Sequence, residues 1–162
     1  MKTLFAILFV SLLAAAPLRV QESAVTAGPG GTPAGWTTWS ARAETAPRCF
    51  VDPMHYRTRP GSLAISGNSN IAGHGGWHKS VGGIEPGAWY RFTAWYRTEA
   101  VSHESSQVLA RLDWRDAGDR RAGQPDYVYR ARREGSWTRV TMDAPAPDKA
   151  ARTRGRRRRR RQ

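Results

Sequence analysis

Between Trp89 and Thr98 the side chains alternate. Tyr90, Phe92, Ala94 and Tyr96 fall on one side, and Trp89, Arg91, Thr93, Trp95 and Arg97 on the other. The same period of two recurs where Val108, Ala110, Leu112 and Trp114 oppose Leu109, Arg111, Asp113 and Arg115, and where Thr138, Val140 and Met142 oppose Trp137, Arg139 and Thr141. Strict alternation marks a strand with one face on a core and the other toward solvent or ligand. Gly, Pro, Asn and Asp interrupt the chain at short intervals, and apolar residues rarely recur at helical spacing. The strands predicted are Arg48–Asp52, Ser62–Ser66, Gly76–Val81, Trp89–Thr98, Gln107–Asp116, Asp126–Ala131 and Trp137–Asp143. Glu85-Pro86-Gly87 and Asp116-Ala117-Gly118-Asp119 supply turn chemistry beside them. The fold class expected is all-β, an antiparallel β-sandwich in which two alternating sheets bury their apolar faces against each other.

Outside this body the composition changes. Met1-Lys2-Thr3, the apolar run Leu4 to Leu13 and the small residues Ala14-Ala15-Ala16 have the order of a secretory signal peptide over residues 1–15, which predicts export to the periplasm or beyond the cell. The run is too short to span a bilayer, and no later segment is apolar enough. Residues 16–35, rich in Gly and Pro, are expected to be a flexible leader, residues 36–147 one folded module, and residues 148–162 a disordered basic tail. The net charge of +13 is mostly that tail: residues 20–150 hold 16 Lys and Arg against all 13 Asp and Glu, a balance of +3, while the last dozen residues add +8. Cys49 is the one cysteine, so no internal disulfide forms, and its strand-like setting suggests burial as a small hydrophobe.

Several short motifs, taken in order, resemble a known group. They are Gly61-Ser62-Leu63-Ala64-Ile65, Gly75-Gly76-Trp77, Ile84-Glu85-Pro86-Gly87-Ala88-Trp89-Tyr90-Arg91, Trp95-Tyr96-Arg97, Leu112-Asp113-Trp114-Arg115-Asp116, Trp137-Thr138-Arg139 and Ala144-Pro145-Ala146. Together they are similar to galactose-binding-like jelly rolls, a group that includes carbohydrate-binding modules of secreted bacterial glycosidases. Gly35-Trp36-Thr37-Thr38-Trp39 and Ala46-Pro47-Arg48-Cys49-Phe50 most resemble the accessory modules placed ahead of bacterial carbon–nitrogen hydrolase domains. The resemblance implies a jelly roll whose partner is a carbohydrate or a catalytic hydrolase domain. It breaks at Asp148: the group continues with two closing strands, whereas here Arg152-Thr153-Arg154-Gly155 leads into six arginines, Arg156 to Arg161. The sandwich is therefore expected to be incomplete at its C-terminal end, with a sheet edge and part of the core exposed. No cofactor is expected, because the structural calcium of many relatives draws on that missing end.

The candidate ligand-binding residues are Trp95, Arg97, Arg91, Arg111 and Asp113. A flat indole suits the apolar C–H face of a sugar, and Arg and Asp suit its hydroxyls. The alternative is that these residues are cross-strand pairs stabilising a solvated face by about 0.2–1 kcal/mol each. Trp77, Trp114 and Trp137 are expected in the core. His74 and His78 are four apart, but the glycines around them argue against the helix that would bring them together on a metal, so no metal site is expected. No nucleophile elbow, phosphate-cradling loop or catalytic Cys signature is present, and the Glu-Lys-Cys chemistry of carbon–nitrogen hydrolases needs a separate large domain. The chain is thus expected to be a monomeric, non-catalytic exported module, a truncated fragment that binds carbohydrate or positions a larger hydrolase. The rival is a cationic protein whose tail binds anionic polymers, without specific nucleic-acid recognition. Arginine runs also arise when a GC-rich gene is read out of frame, and this one begins where the resemblance stops.

Overall fold

The computed structural model describes residues 27–28 and 31–159, with only the backbone described for 154–159. The signal-peptide expectation for residues 1–15 lies outside the described residues. The elements are β1 (Trp36–Ser40), β2 (Arg48–Asp52), β3 (Ser62–Ser66), β4 (Gly75–Gly82), β5 (Trp89–Tyr96), the single helical turn α1 (Glu104–Gln107), β6 (Val108–Arg115), β7 (Asp126–Tyr127), β8 (Arg130–Glu134), β9 (Trp137–Pro145) and β10 (Arg152–Arg159). A five-stranded sheet has the order β1-β4-β10-β6-β7, a three-stranded sheet the order β5-β9-β8, and β2 pairs with β3, all antiparallel. After β4 the chain moves between the two larger sheets, with β5 in one, β6 and β7 in the other, β8 and β9 back in the first and β10 in the second. The expected all-β antiparallel sandwich is the fold observed.

Alternation builds the core as expected. Leu112 and Trp114 of β6 meet Met142 and Ala144 of β9, with Ile84, Ala146 and Ala150 completing the cluster and Tyr90 and Phe92 packed against it. Trp114 and Met142 have no exposed surface, and Trp77 is buried too, its Nε1 donating to the Ala64 carbonyl 2.9 Å away and so tying β4 to β3. Trp137 departs from expectation: it lies half-buried on the solvent side of β9, because its phase places Thr138, Val140, Met142 and Ala144 inward instead. The predicted strand Asp126–Ala131 divides into β7 and β8, which belong to different sheets. The strand β1 falls in the stretch recognised only by resemblance. Gly75 marks where β4 passes beside it, since a Cβ there would stand 2.3 Å from the Trp39 carbonyl oxygen.

The C-terminal expectation is corrected. The folded body does not stop at Pro147, since Ala150 is buried in the core cluster. Nor does the chain dangle beyond it: Arg152–Arg159 runs as β10 between β4 and β6, so the five-stranded sheet is not left open at this position. The expectation rested on side-chain composition, but a strand is accepted into a sheet through its backbone. β4 and β6 each present a row of N–H and C=O groups, and one extended segment between them satisfies both. The register favours the core at its near end, with Thr153 opposite Trp114 and Gly155 opposite Leu112, whereas Arg157 and Arg159 stand opposite Ala110 and Val108, past the core cluster. At the other terminus the leader ends earlier than expected, since Pro33 is buried and its carbonyl accepts from Trp36 N.

Two outcomes follow from this packing. Deleting residues 152–162 should separate β4 from β6, and the shortened chain should lose its cooperative thermal transition by circular dichroism and aggregate; an unchanged transition would show that β10 contributes nothing. Burial pushes the Cys49 thiol up to about 11, so at pH 8 it should react with a disulfide reagent about a hundredfold more slowly in the folded chain than in urea.

Candidate functional site

The five residues proposed from sequence do not form one constellation. Alternation places all of them away from the core, but Arg111 and Asp113 are on β6 of the five-stranded sheet, while Arg91 and Trp95 are on β5 of the three-stranded sheet, with Arg97 directly after its end. Since the two sheets meet through their inner faces, these groups lie on opposite sides of the sandwich.

The β6 group is also closed to solvent. Arg111 is 5% exposed and Asp113 3%. Asp113 Oδ2 accepts from Arg111 Nη2 at 3.3 Å and Arg115 Nη2 at 3.0 Å, and Arg111 Nη1 donates to the Tyr127 hydroxyl at 3.0 Å. Arg115 Nη1 reaches on to the Asp119 carbonyl at 3.2 Å, which ties the strand to the following turn. Two guanidiniums thus converge on one carboxylate in a water-poor setting, where removing the carboxylate strands two charges. This is a structural ion network across β6, β7 and the turn at Asp116–Asp119. It uses for cohesion the groups expected to meet sugar hydroxyls.

The outer face of β5, β9 and β8 is open. Register fixes its grid: Arg91 lies opposite Asp143, Thr93 opposite Thr141, Trp95 opposite Arg139, and on the far side Arg130 opposite Thr141, Arg132 opposite Arg139 and Glu134 opposite Trp137. The two-residue turn between β8 and β9 holds this register, with Gly135 at φ 62°, a conformation glycine adopts without strain. Arg91 grips Asp143 with two bonds, Nε to Oδ1 at 2.7 Å and Nη2 to Oδ2 at 3.3 Å, and Arg130 Nη1 adds a third at 3.3 Å. The hydrogen bonds from Arg91 hold the Asp143 carboxyl below the usual carboxylate range, which favours its ionised form.

Trp95 is not bare. Arg57, from the β2–β3 loop, stacks over its ring at 4.7 Å, and its Nε1 donates to Glu134 Oε2 at 3.4 Å. Glu134 in turn pairs with Arg57 at 3.5 Å and Arg139 at 3.0 Å. The loop that delivers Arg57 begins at Asp52, whose Oδ1 accepts from the backbone N–H of Met54 and His55. Arg97 is engaged by its neighbour Glu99 at 2.6 Å. The most exposed aromatic side chains on this side are Trp89, 72% exposed, and Tyr129, 61% exposed, with Trp137 half-buried. Tyr129 stands beside the Arg91–Asp143–Arg130 cluster, its hydroxyl accepting from Asp143 N at 3.3 Å and Arg130 lying over its ring at 5.0 Å.

Sequence reasoning had Trp89 on the correct face and passed over it in favour of Trp95; the fact that Trp89 sits at the strand end, opposite the exposed Pro145, is what leaves it uncovered. Tyr129, Arg130 and Asp143 were missed because their meeting depends on β8 pairing with β9, a contact that no local spacing announces. The pair His74 and His78 is accounted for by other contacts, His78 Nε2 lying 2.5 Å from Thr37 Oγ1 and His74 meeting the Trp39 ring edge-on at 5.4 Å. Among the described residues no group of three or more His, Cys, Asp or Glu could hold a metal, and no helix is long and apolar enough to cross a membrane.

No protein-family model and no curated protein matches the sequence. Among solved structures the chain is similar to the enzymatically active domain of tailspike protein 4 of bacteriophage CBA120, at 12% identity and a TM-score of 0.59, over 83% of this chain and 18% of that one. The chain therefore spans less than a fifth of the structure it matches. A likeness at this identity shows the β-rich fold and does not single out galactose-binding-like or hydrolase-linked modules. It does correct the expectation that the chain is not an enzyme: the matching fold lies within a domain described as enzymatically active, so the sandwich architecture is no argument against catalysis.

The β6 network gives a direct test of its role. Asp113→Ala should lower stability by about 3–5 kcal/mol in urea unfolding, the cost of leaving a buried pair half-made; a variant as stable as the parent would return Asp113 to the list of ligand contacts.

Proposed function

We propose that this chain is an exported carbohydrate-contacting β-sandwich that holds a glycan on the outer face of β5, β9 and β8, and serves a larger hydrolase by keeping that glycan in place. The observation that carries this proposal is the pairing, on one open face, of two exposed aromatic rings, Trp89 and Tyr129, with the Arg91–Asp143–Arg130 cluster. A sugar ring offers an apolar C–H face to an indole or phenol, while its hydroxyls both donate and accept. A carboxylate already ionised and two guanidiniums meet both needs through charge-assisted bonds. Their mutual ion pairs hold them in place before any ligand arrives, which lowers the ordering cost of binding. Export rests on the signal-like order of residues 1–16. The resemblance to carbohydrate-binding modules and the likeness to part of a tailspike enzymatic domain both support a setting beside a larger enzyme.

The rival, a free polycationic tail acting on anionic polymers, loses its premise for residues 152–159, which pair with β6 throughout and with β4 as far as Arg156.

Isothermal titration against a panel of soluble polysaccharides tests the proposal. Trp89→Ala and Tyr129→Ala should each weaken binding about three- to tenfold, the effect of losing one stacked ring, while Trp95→Ala should weaken it less because Arg57 covers that ring. A glycan bound equally by all three variants would refute the site, and a panel with no binder would refute the function.

A further inference from the structure

We infer that the glycan taken by this face is anionic, a polymer bearing carboxylates or sulfates, and that Arg132 with Arg139 forms the subsite that reads its charge. The inference rests on the carbohydrate reading above and goes beyond it by naming the substrate class.

The register sets Arg132 directly opposite Arg139 on the outer face. Like charges placed across two strands destabilise a sheet. Arg139 is relieved by Glu134 at 3.0 Å, but Glu134 is already shared with Arg57 and the Trp95 indole. Asp143 is likewise divided between Arg91 and Arg130. The Arg132 side chain is exposed, and its guanidinium makes no ion pair or hydrogen bond with any described residue. Counted over this face, the guanidiniums of Arg57, Arg91, Arg130, Arg132 and Arg139 stand against the carboxylates of Glu134 and Asp143, five charges against two, an excess of three positive charges. Outside this face the rest of residues 20–150 is balanced, 11 Lys and Arg against 11 Asp and Glu, so the face carries an excess of its own, separate from the six arginines of β10. Nothing in the fold uses it; a ligand of opposite sign would.

The same face also tells the class of polyanion. Glu134 and Asp143 would repel any anion alike, but they accept hydrogen bonds from hydroxyls, which a sugar chain carries in abundance. A uronate or sulfated sugar chain carries anions and hydroxyls together, and so matches a surface that holds both guanidiniums and carboxylates with the guanidiniums in excess. Arg130 and Arg132 lie two residues apart on one strand, roughly 6.6–6.8 Å, so they can engage neighbouring groups along an extended polymer.

The experiment compares polygalacturonate, its fully methyl-esterified neutral form and single-stranded DNA on the full chain, at two salt concentrations, with Arg132→Glu and Trp89→Ala as variants. Arg132 lies on an exposed edge strand, and an unchanged far-UV spectrum will confirm that R132E folds. The acid form should bind at least about tenfold more tightly than the ester at low salt and lose that advantage as salt rises. R132E should weaken the acid at least about threefold and leave the ester unchanged. Because R132E keeps every C-terminal arginine, its loss belongs to this face and not to Arg156–Arg161. Equal affinity for acid and ester, with Trp89→Ala weakening both, would overturn the anionic inference and leave the carbohydrate reading standing. Acid binding that needs Arg132 but ignores Trp89 would keep the charge-reading subsite and overturn the stacking site proposed at Trp89. DNA bound as tightly as polygalacturonate, and weakened equally by R132E, would overturn the assignment to a glycan.

Discussion

Everything in this molecule is arranged about one plane of contact, where Trp114 of β6, wholly buried, meets Tyr90 at 6.0 Å between ring centres and packs in the same cluster as Met142 of β9. Because each of these strands repeats every two residues, fixing which side holds Trp114 and Met142 fixes everything on the reverse side as well. Arg111, Asp113 and Arg115 are sent outward from one sheet, and Trp89, Arg91, Trp95, Arg139 and Asp143 from the other. A slip of one residue would exchange the two sets, burying arginines and exposing indoles, so the cost of misregister protects the polar face as strongly as the core.

The two outward faces begin with similar chemistry and end differently. Each has arginines converging on an aspartate beside a tyrosine: Arg111 and Arg115 on Asp113 near Tyr127, and Arg91 and Arg130 on Asp143 near Tyr129. The first is enclosed: Arg111 and Asp113 are buried, and the turn after β6 reaches back through the Asp119 carbonyl. The second lies on the outer face of the three-stranded sheet, where Arg91 is exposed and Asp143 half-buried. Burial, and not residue type, separates a cohesive network from a surface able to receive a ligand.

This distinction explains what the sequence could and could not convey. The strands with clean alternation were legible, as were the inward positions of Tyr90, Phe92, Ala110, Leu112, Trp114, Val140 and Met142, because each depends on local phase alone. Arg48–Asp52 and Ser62–Ser66 appear in the structure with the bounds predicted. Three features were not legible. The covering of Trp95 depends on a loop residue, Arg57, 38 positions earlier in the chain. The closing of Arg111 depends on Tyr127 of β7, 16 positions later in the chain. The incorporation of the arginine-rich segment depends on a vacancy between β4 and β6 that becomes visible only once the sheet order is known. All three are long-range facts, and hydrophobic period carries none of them.

The place of β10 has a consequence for how the molecule comes into being. β4 and β6 belong to the same sheet but do not touch as partners; the strand that joins them follows both in the chain and is the last among the described strands. Until it arrives, one sheet exists as two unconnected halves, β1 with β4 and β6 with β7, each with a raw edge. The final joining closes loops of considerable length, which is slow compared with hairpin formation. During that interval the half-built sandwich is most exposed to pairing with other copies of itself. Where the strand that completes a sheet is translated last, the hazard lies in the order of synthesis.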